Sequence, residues 1–283
     1  MISITADTLS IIGVHRDEMN PDPSHPEIKL ITITIETPDG QLPPAKVGIP
    51  DIPMRLTHLV PPMQRLCSGV VGLAIRREVN RGATLSCRKG CGVCCCQLVP
   101  LSPPEAFFLL DYCRTLPLEQ RKQIEERFRA VREAMEAKGL VERLKIIEDT
   151  KEHKVLARDY FQMGMPCPFL EDNSCSIHPQ RPFACREYNV ISPAELCCDP
   201  LNNGVKAIPI PKNMTTATAR LAAELFGVPP MLVPMTAALE WAAEHEGLGR
   251  RTWPGVWLFN RMMDYATGTN LDNLDKGGSP AVE

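Results

Sequence analysis

Five of the chain's twelve cysteines fall within ten residues, Cys87 to Cys96, in the run CRKGCGVCCC. A second group follows in CPFLEDNSCSIHPQRPFACREY, where Cys167, Cys175 and Cys185 are separated by seven and then nine residues. Thiols at this density are oxidised in pairs, bound to metal, or held apart by a strong fold. Cys87, Cys91 and Cys94, with three and then two residues between them, can bring three sulfurs to one ion or cluster from a tight loop. Gly90 and Gly92 relieve the backbone of such a loop. Arg88 and Lys89 supply positive charge beside bound thiolates. Cys95 and Cys96 adjoin Cys94, and neighbouring side chains diverge, so the three do not easily face one centre. One of them is left to bridge to a second metal, to act in redox chemistry, or to be buried.

In the second group, Pro166 and Pro168 bracket Cys167, and Asp172-Asn173-Ser174 supplies turn chemistry before Cys175. The two groups offer six ligands: Cys87, Cys91, Cys94, Cys167, Cys175 and Cys185. Cys95 and one of Cys197 or Cys198 are candidates to complete eight. Six exceeds the four that a structural zinc needs. Two separate four-thiolate sites, one shared polynuclear site, or a [4Fe–4S] cluster beside a zinc all fit. His178 offers an imidazole, although a place beside the site or on the surface accounts for it more simply. Arg181 and Arg186 flank Cys185 and would either orient an anionic substrate or neutralise thiolates, the second being the simpler role. Glu187 and Tyr188 are candidate proton-transfer groups, with capping and packing the plainer reading. Cys67 and Cys113 lie in apolar helical stretches and read as core residues. Met231, Met235, Met262 and Met263 read the same way, and Trp241, Trp253 and Trp257 as anchors of C-terminal helices.

These residues must be positioned by a mainly α-helical chain: irregular cysteine-rich metal-binding loops between helices, with a small N-terminal β element. Ile28 to Thr37 alternates and is rich in β-branched residues, which predicts a strand, with Ala45 to Ile49 pairing back after a turn at Pro38-Asp39-Gly40. The prolyl stretch IPDIPMRLTHLVPP reads as an extended linker with at most one helical turn. Helical spacing then predicts helices over Met63 to Asn80, from Ser102, over Pro117 to Lys138 and over His153 to Met163. Three more follow in NMTTATARLAAELFG, PMTAALEWAAEHEG and VWLFNRMMDYATG. The expected division is a β element and linker over 1–60, a cysteine-cluster domain over 61–200, a helical region over 201–270 and a flexible tail over 271–283.

Bulk properties narrow the chemistry. At 283 residues the chain can bury a core without disulfide staples. Its N-terminal stretch lacks the basic n-region and A-x-A site of a secretory signal, and no run approaches the ~18 apolar residues of a membrane span. A cytoplasmic location is therefore the expectation, and clustered thiols there bind metal more often than they form permanent bridges. A net charge of −3 and an aromatic content of 5% argue against nucleic acid or an anionic membrane as partner. A metal ion is the partner expected. Walker, HExxH and G-x-S-x-G motifs are absent.

SCRKGCGVCCCQLVPLSPPEA together with CPFLEDNSCSIHPQRPFACREY resembles the YkgJ-type cysteine-cluster family and its CxxCxxCC signature, across Ser86 to Asp199. The first gap here is three residues rather than two. The resemblance implies a zinc- or iron-chelating domain with Cys87, Cys91, Cys94, Cys95, Cys167, Cys175 and Cys185 as chelators. It extends to the cysteine cluster of flagellar lysine N-methylases. Three functions are therefore in play. The first is a metal-binding protein holding zinc or iron, including as a [4Fe–4S] cluster. The second is a metal-dependent enzyme, most concretely a protein lysine methyltransferase using S-adenosylmethionine. The third is a thiol redox sensor. The spacing of Cys87, Cys91 and Cys94 equals the CxxxCxxC run of radical-SAM enzymes, but the helical pattern lacks their alternating strands and helices.

Overall fold

The β-branched run Ile28–Thr37 forms the central strand, β3, of an antiparallel sheet. It pairs with β1 (Gly13–Arg16), β2 (Asn20–Pro21), β4 (Gly40–Gln41) and β5 (Ala45–Pro50). In register with β5, Ile31 faces Val47 and Ile33 faces Ala45. The alternation sends Ile31, Ile33 and Ile35 into the core, as a period of two requires. The computed structural model describes residues 13–16, 20–21, 27–37, 40–146, 150–210 and 213–267. Residues 1–12, the expected turn residues Pro38 and Asp39, and the expected tail over 271–283 lie outside the described residues.

Helices dominate the rest of the chain: α1 (Val60–Asn80), α2 (Pro103–Thr115), α3 (Leu118–Ala137), α4 (Leu140–Ile146) and α5 (Thr150–Gln162) precede the second cysteine group. Beyond it come α6 (Phe183–Glu187), α7 (Met214–Phe226), α8 (Ala238–Glu244), α9 (Glu246–Gly249) and α10 (Gly255–Thr267). The chain is mainly α with small strands, as expected. The stretch PMTAALEWAAEHEG, read as one helix, is instead a 3-10 turn at Met235–Ala237 followed by α8 and α9. Helix α4 has no counterpart among the expected helices.

The prolyl stretch is not an extended linker. Pro53–Arg55 forms β6, which pairs antiparallel with β11 (Thr252–Pro254), and a 3-10 turn at Leu56–Leu59 runs directly into α1. Met54, Leu56, Leu59 and Val60 are buried. Pro61 and Pro62 fall in the first turn of α1, where a missing N–H costs nothing. One core therefore joins the isoleucines of β3, the α1 residues Met63 and Val71, Leu221 of α7, and Leu258, Phe259, Met262 and Met263 of α10. A second core packs Phe107 and Leu109 of α2 with Phe128 of α3 and Phe169 and Ile177 of the second cysteine group. Cys67 belongs to the first and Cys113 to the second, at 3% and 2% exposure. Met235, Met262 and Met263 are core residues, whereas Met231 is 39% exposed and does not pack as expected.

The cysteines lie where these helices hand over to loops. Helix α1 stops at Asn80, and Gly82 takes φ +90° to turn the chain. Residues 83–99 then carry the first cysteine group without helix or strand. A two-residue strand, β7 (Pro100–Leu101), paired with β10 (Val233–Pro234), anchors the exit. Helices α3 to α5 return the chain to Cys167. The second group opens with a hairpin of β8 (Leu170–Glu171) and β9 (Ser174–Cys175). Its turn residues Asp172 and Asn173 both take positive φ, 47° and 57°, a conformation Asp and Asn tolerate best after glycine.

Where α10 meets β5 and β6, a Cβ on Gly255 would run into Pro50 O and lie 2.7 Å from Met54 Sδ. Gly255→Ala should cost about 2–3 kcal/mol by overpacking. Gly247→Ala, with nothing within 4 Å, should change stability by less than about 0.5 kcal/mol. Urea-denaturation midpoints of the two variants test this.

Candidate metal centre

Backbone bonds bring the two cysteine groups together. Cys167 N donates to Cys95 O at 2.6 Å, which clasps the start of the second group onto the first. Ser86 N donates to Val190 O at 3.0 Å, and Val190 N donates to the Cys87 sulfur at 3.4 Å. The hairpin of β8 and β9 lies directly on the first loop. A Cβ on Gly92 would sit 2.8 Å from Leu170 Cδ1 and 3.3 Å from Asn173 O. Gly92 is thus required by close approach, while Gly90, at φ +81°, serves the backbone turn.

Cys94 is the meeting point. Its thiol interacts electrostatically with those of Cys87, Cys95, Cys96, Cys167, Cys175, Cys185 and Cys197. A hydrogen bond from Cys95 lowers Cys94 to about 7 and, by the same sharing of a proton, raises Cys95. Burial raises Cys87, Cys175 and Cys185, and pushes Cys167 up to about 12, with the charge of neighbouring sulfurs adding to it. Cys96 turns away: its Sγ donates to Val93 O at 3.3 Å. The 3-10 turn Ala194–Cys198 divides the vicinal pair, with Cys197 buried and Cys198 exposed, its sulfur accepting from Asn203 Nδ2 at 3.6 Å. Among the described residues, no three His, Cys, Asp or Glu side chains stand in positions that could hold one ion.

The remaining candidates separate by what they touch. Arg181 interacts with Cys87, Cys94, Cys175 and Cys185, and its buried Nε has no hydrogen-bond partner among the described residues. Arg186 is a staple. Its Nε donates to Arg181 O at 2.9 Å, Nη1 to Ser68 Oγ at 3.0 Å, and Nη2 to Pro179 O. Gln64 Nε2 of α1 holds the same loop through Gln180 O and Arg181 O, at 3.1 and 3.3 Å. His178 is exposed and held below the usual imidazole range by burial and then by Arg181, Arg186 and Lys89. Tyr188 Oη lies 4.0 Å from Cys197 Sγ. Glu187 Oε1 accepts from Met214 N at 2.6 Å, so it caps α7, while its buried Oε2 has no partner among the described residues.

One positioning residue escapes a reading of the sequence alone. Glu105, 1% exposed, closes a capping box at the start of α2, its Oε2 accepting from Ser102 N at 2.8 Å and Ser102 Oγ at 2.7 Å. Its Oε1 reaches across to Phe183 N at 2.8 Å, the first residue of α6, which carries Cys185. The Ser102-Pro-Pro-Glu105 pattern signals the cap, but nothing local signals the second bond.

Thiols are the residue type a thiophilic ion would take, and those of Cys87, Cys167, Cys175 and Cys185 are held toward the protonated form by burial, so an ion binding there would have to displace their protons.

Glu105→Ala should cost about 2–4 kcal/mol, from the lost cap and the stranded Phe183 N–H. Burial holds Glu105 up to about 7 against an ordinary value of 4.5. The folded state therefore binds the proton more tightly than the unfolded chain, and stability falls as pH rises through that window, then levels. Urea midpoints across pH 4.5 to 8 should show this fall in the native chain and a shallower one in the variant.

Comparison with family models, with curated proteins and with solved structures finds no match to this chain.

Proposed function

We propose that this chain is a metal-binding protein that chelates zinc or iron, including as an iron–sulfur cluster, through clustered cysteine thiolates of a YkgJ-type domain. The observation that carries the reading is the backbone clasp of the two cysteine groups onto each other, which brings thiols of both within electrostatic reach of Cys94 and of Arg181, whose buried Nε is unpartnered among the described residues. Cys87, Cys91, Cys94, Cys95, Cys167, Cys175 and Cys185 are the residues that would hold the metal. A bound ion would supply the positive charge that turns these thiols into thiolates, and its binding energy would tie the two groups together. Arg181 would offset the negative charge left on a metal held by four thiolates. Arg186 holds the loop that presents Arg181, and Glu105 fixes the helix that presents Cys185. The enzyme reading gains nothing from the fold, since the described strands pair antiparallel and do not alternate with helices as radical-SAM chemistry needs. Among the described residues no helix is long and apolar enough to cross a membrane.

Protein purified without oxygen, assayed for zinc and iron and scanned in the visible, tests the reading. Stoichiometric metal is expected, colourless if zinc and brown if an iron–sulfur cluster. Cys91→Ser and Cys175→Ser should lower metal content, and Cys113→Ser should leave it unchanged. Metal-free native protein, or loss of metal in Cys113→Ser, would overturn it.

The pH dependence has a definite sign. Protons compete with metal for these thiols, so metal retention falls as pH falls. Arg181→Gln removes a charge that favours thiolate, and the pH of half-release should rise by about one unit. Metal release during acid titration of the two proteins measures it.

A further inference from the structure

A cleft opens where α1, α2 and the chain entering α6 meet, on the side of that loop held by Gln64 and Arg186. We infer, independently of the metal-binding reading, that this cleft binds a small organic phosphate monoester, with Arg65 and Arg186 taking the phosphate and Phe108 the organic part. Helix α1 offers one face to it: Pro61, Gln64, Arg65 and Ser68 fall on the same side of the helix by their spacing. Pro179 and Arg186 line it from the second cysteine group, and Phe108 adds an aromatic ring from α2. The volume is about 430 Å³, inside the range of roughly 300–1,000 Å³ that small-molecule sites occupy. Its walls are bonded to each other. Gln64 Nε2 donates to Gln180 O at 3.1 Å, Arg186 Nη1 donates to Ser68 Oγ at 3.0 Å, and Ser68 Oγ donates to Gln64 O at 2.9 Å. The cleft is therefore formed before a ligand arrives, which lowers the entropic cost of binding.

Charge decides what the cleft takes. No carboxylate lines it, and among the described residues neither Arg65 nor Arg186 makes an ion pair. Arg186 spends an N–H from each of its nitrogens on Arg181 O, Ser68 Oγ and Pro179 O. Those partners are neutral, so they fix the guanidinium without cancelling its charge, and each Nη keeps a second N–H for an oxygen of the ligand. Glu105, the buried carboxyl that acts on Arg186 from behind, is already bonded to Ser102 and Phe183. Two guanidiniums match a phosphate monoester, which carries about −1.5 to −2 near pH 7. A carboxylate would balance only one of them. Phe108, Pro61 and Pro179 add apolar surface that inorganic phosphate would leave uncovered.

Isothermal titration calorimetry of the full-length protein in low-salt, phosphate-free buffer tests this with phenyl phosphate, inorganic phosphate and benzoate. Phenyl phosphate should bind at one per chain. Inorganic phosphate, which lacks the apolar part, and benzoate, which lacks the second charge, should each bind at least about tenfold more weakly. Arg65 is exposed, so Arg65→Gln should leave the fold intact while weakening phenyl phosphate about tenfold or more. Arg76→Gln, at an exposed position on the same helix outside the cleft, should leave binding unchanged. Phenyl phosphate that does not bind, or that binds Arg65→Gln as tightly as the native chain, would overturn the site, the second result placing the ligand elsewhere, a bound metal included. An equal loss in Arg76→Gln would reduce the effect to overall charge and overturn it too. Benzoate bound as tightly as phenyl phosphate would overturn the phosphate assignment.

Discussion

The clasp of the two cysteine groups onto each other, Cys167 N on Cys95 O and Ser86 N on Val190 O, is the constraint on which their surroundings depend. Cys167 and Cys185 are raised first by burial and then by the charge their neighbours would carry, so no more than a few of these thiols can ionise together unless a cation enters. The chain meets part of that electrostatic demand with its own charges. Arg181 acts electrostatically on Cys87, Cys94, Cys175 and Cys185, and with Lys89 and Arg186 it gives this rim a positive character that, next to burial, holds His178 toward its neutral form.

Holding the sulfurs in place is the work of residues that never touch them. Glu105 links the start of α2 to the start of α6, and Gln64 and Arg186 pin the loop from Pro179 to Arg181 against α1. Glu187 passes the arrangement on to α7 by capping it. These are side-chain bonds to backbone groups more than seventy residues away in several cases. They turn irregular loops, which have little regular hydrogen bonding of their own, into defined positions. The first core, which includes Cys67 beside Glu187, backs this arrangement from behind.

Much of the fold was legible because its signals are local. The alternation of Ile28 to Thr37, the helical period of Met63 to Asn80 and the Ser102 cap each report on their own neighbourhood. The prolyl stretch before α1 misled because its partner is not local. Met54 is ordered by pairing with Trp253 of β11, far along the chain, and prolines that look like linker chemistry serve equally as a helix first turn. Gly92 misled in a smaller way: its glycine is demanded by the approach of Leu170 and Asn173, not by its own backbone angle.

For the candidate site the division is similar. The sequence by itself marked the candidate donors, since cysteines at these spacings and densities have few stable fates in a chain large enough to fold without staples. It also marked Cys67 and Cys113 as packing residues, because each lies on the apolar face of a helix. It could not separate Cys197 from Cys198, or say which sulfurs of Cys94 to Cys96 look the same way. Adjacent residues share every local signal. Only the tertiary structure separated them: Cys197 is buried while Cys198 is exposed, and Cys96 turns its sulfur to Val93 O. It likewise divided the arginines, leaving Arg181 to face the thiols and committing Arg186 to carbonyl oxygens, because that choice depends on how distant segments fold back on one another.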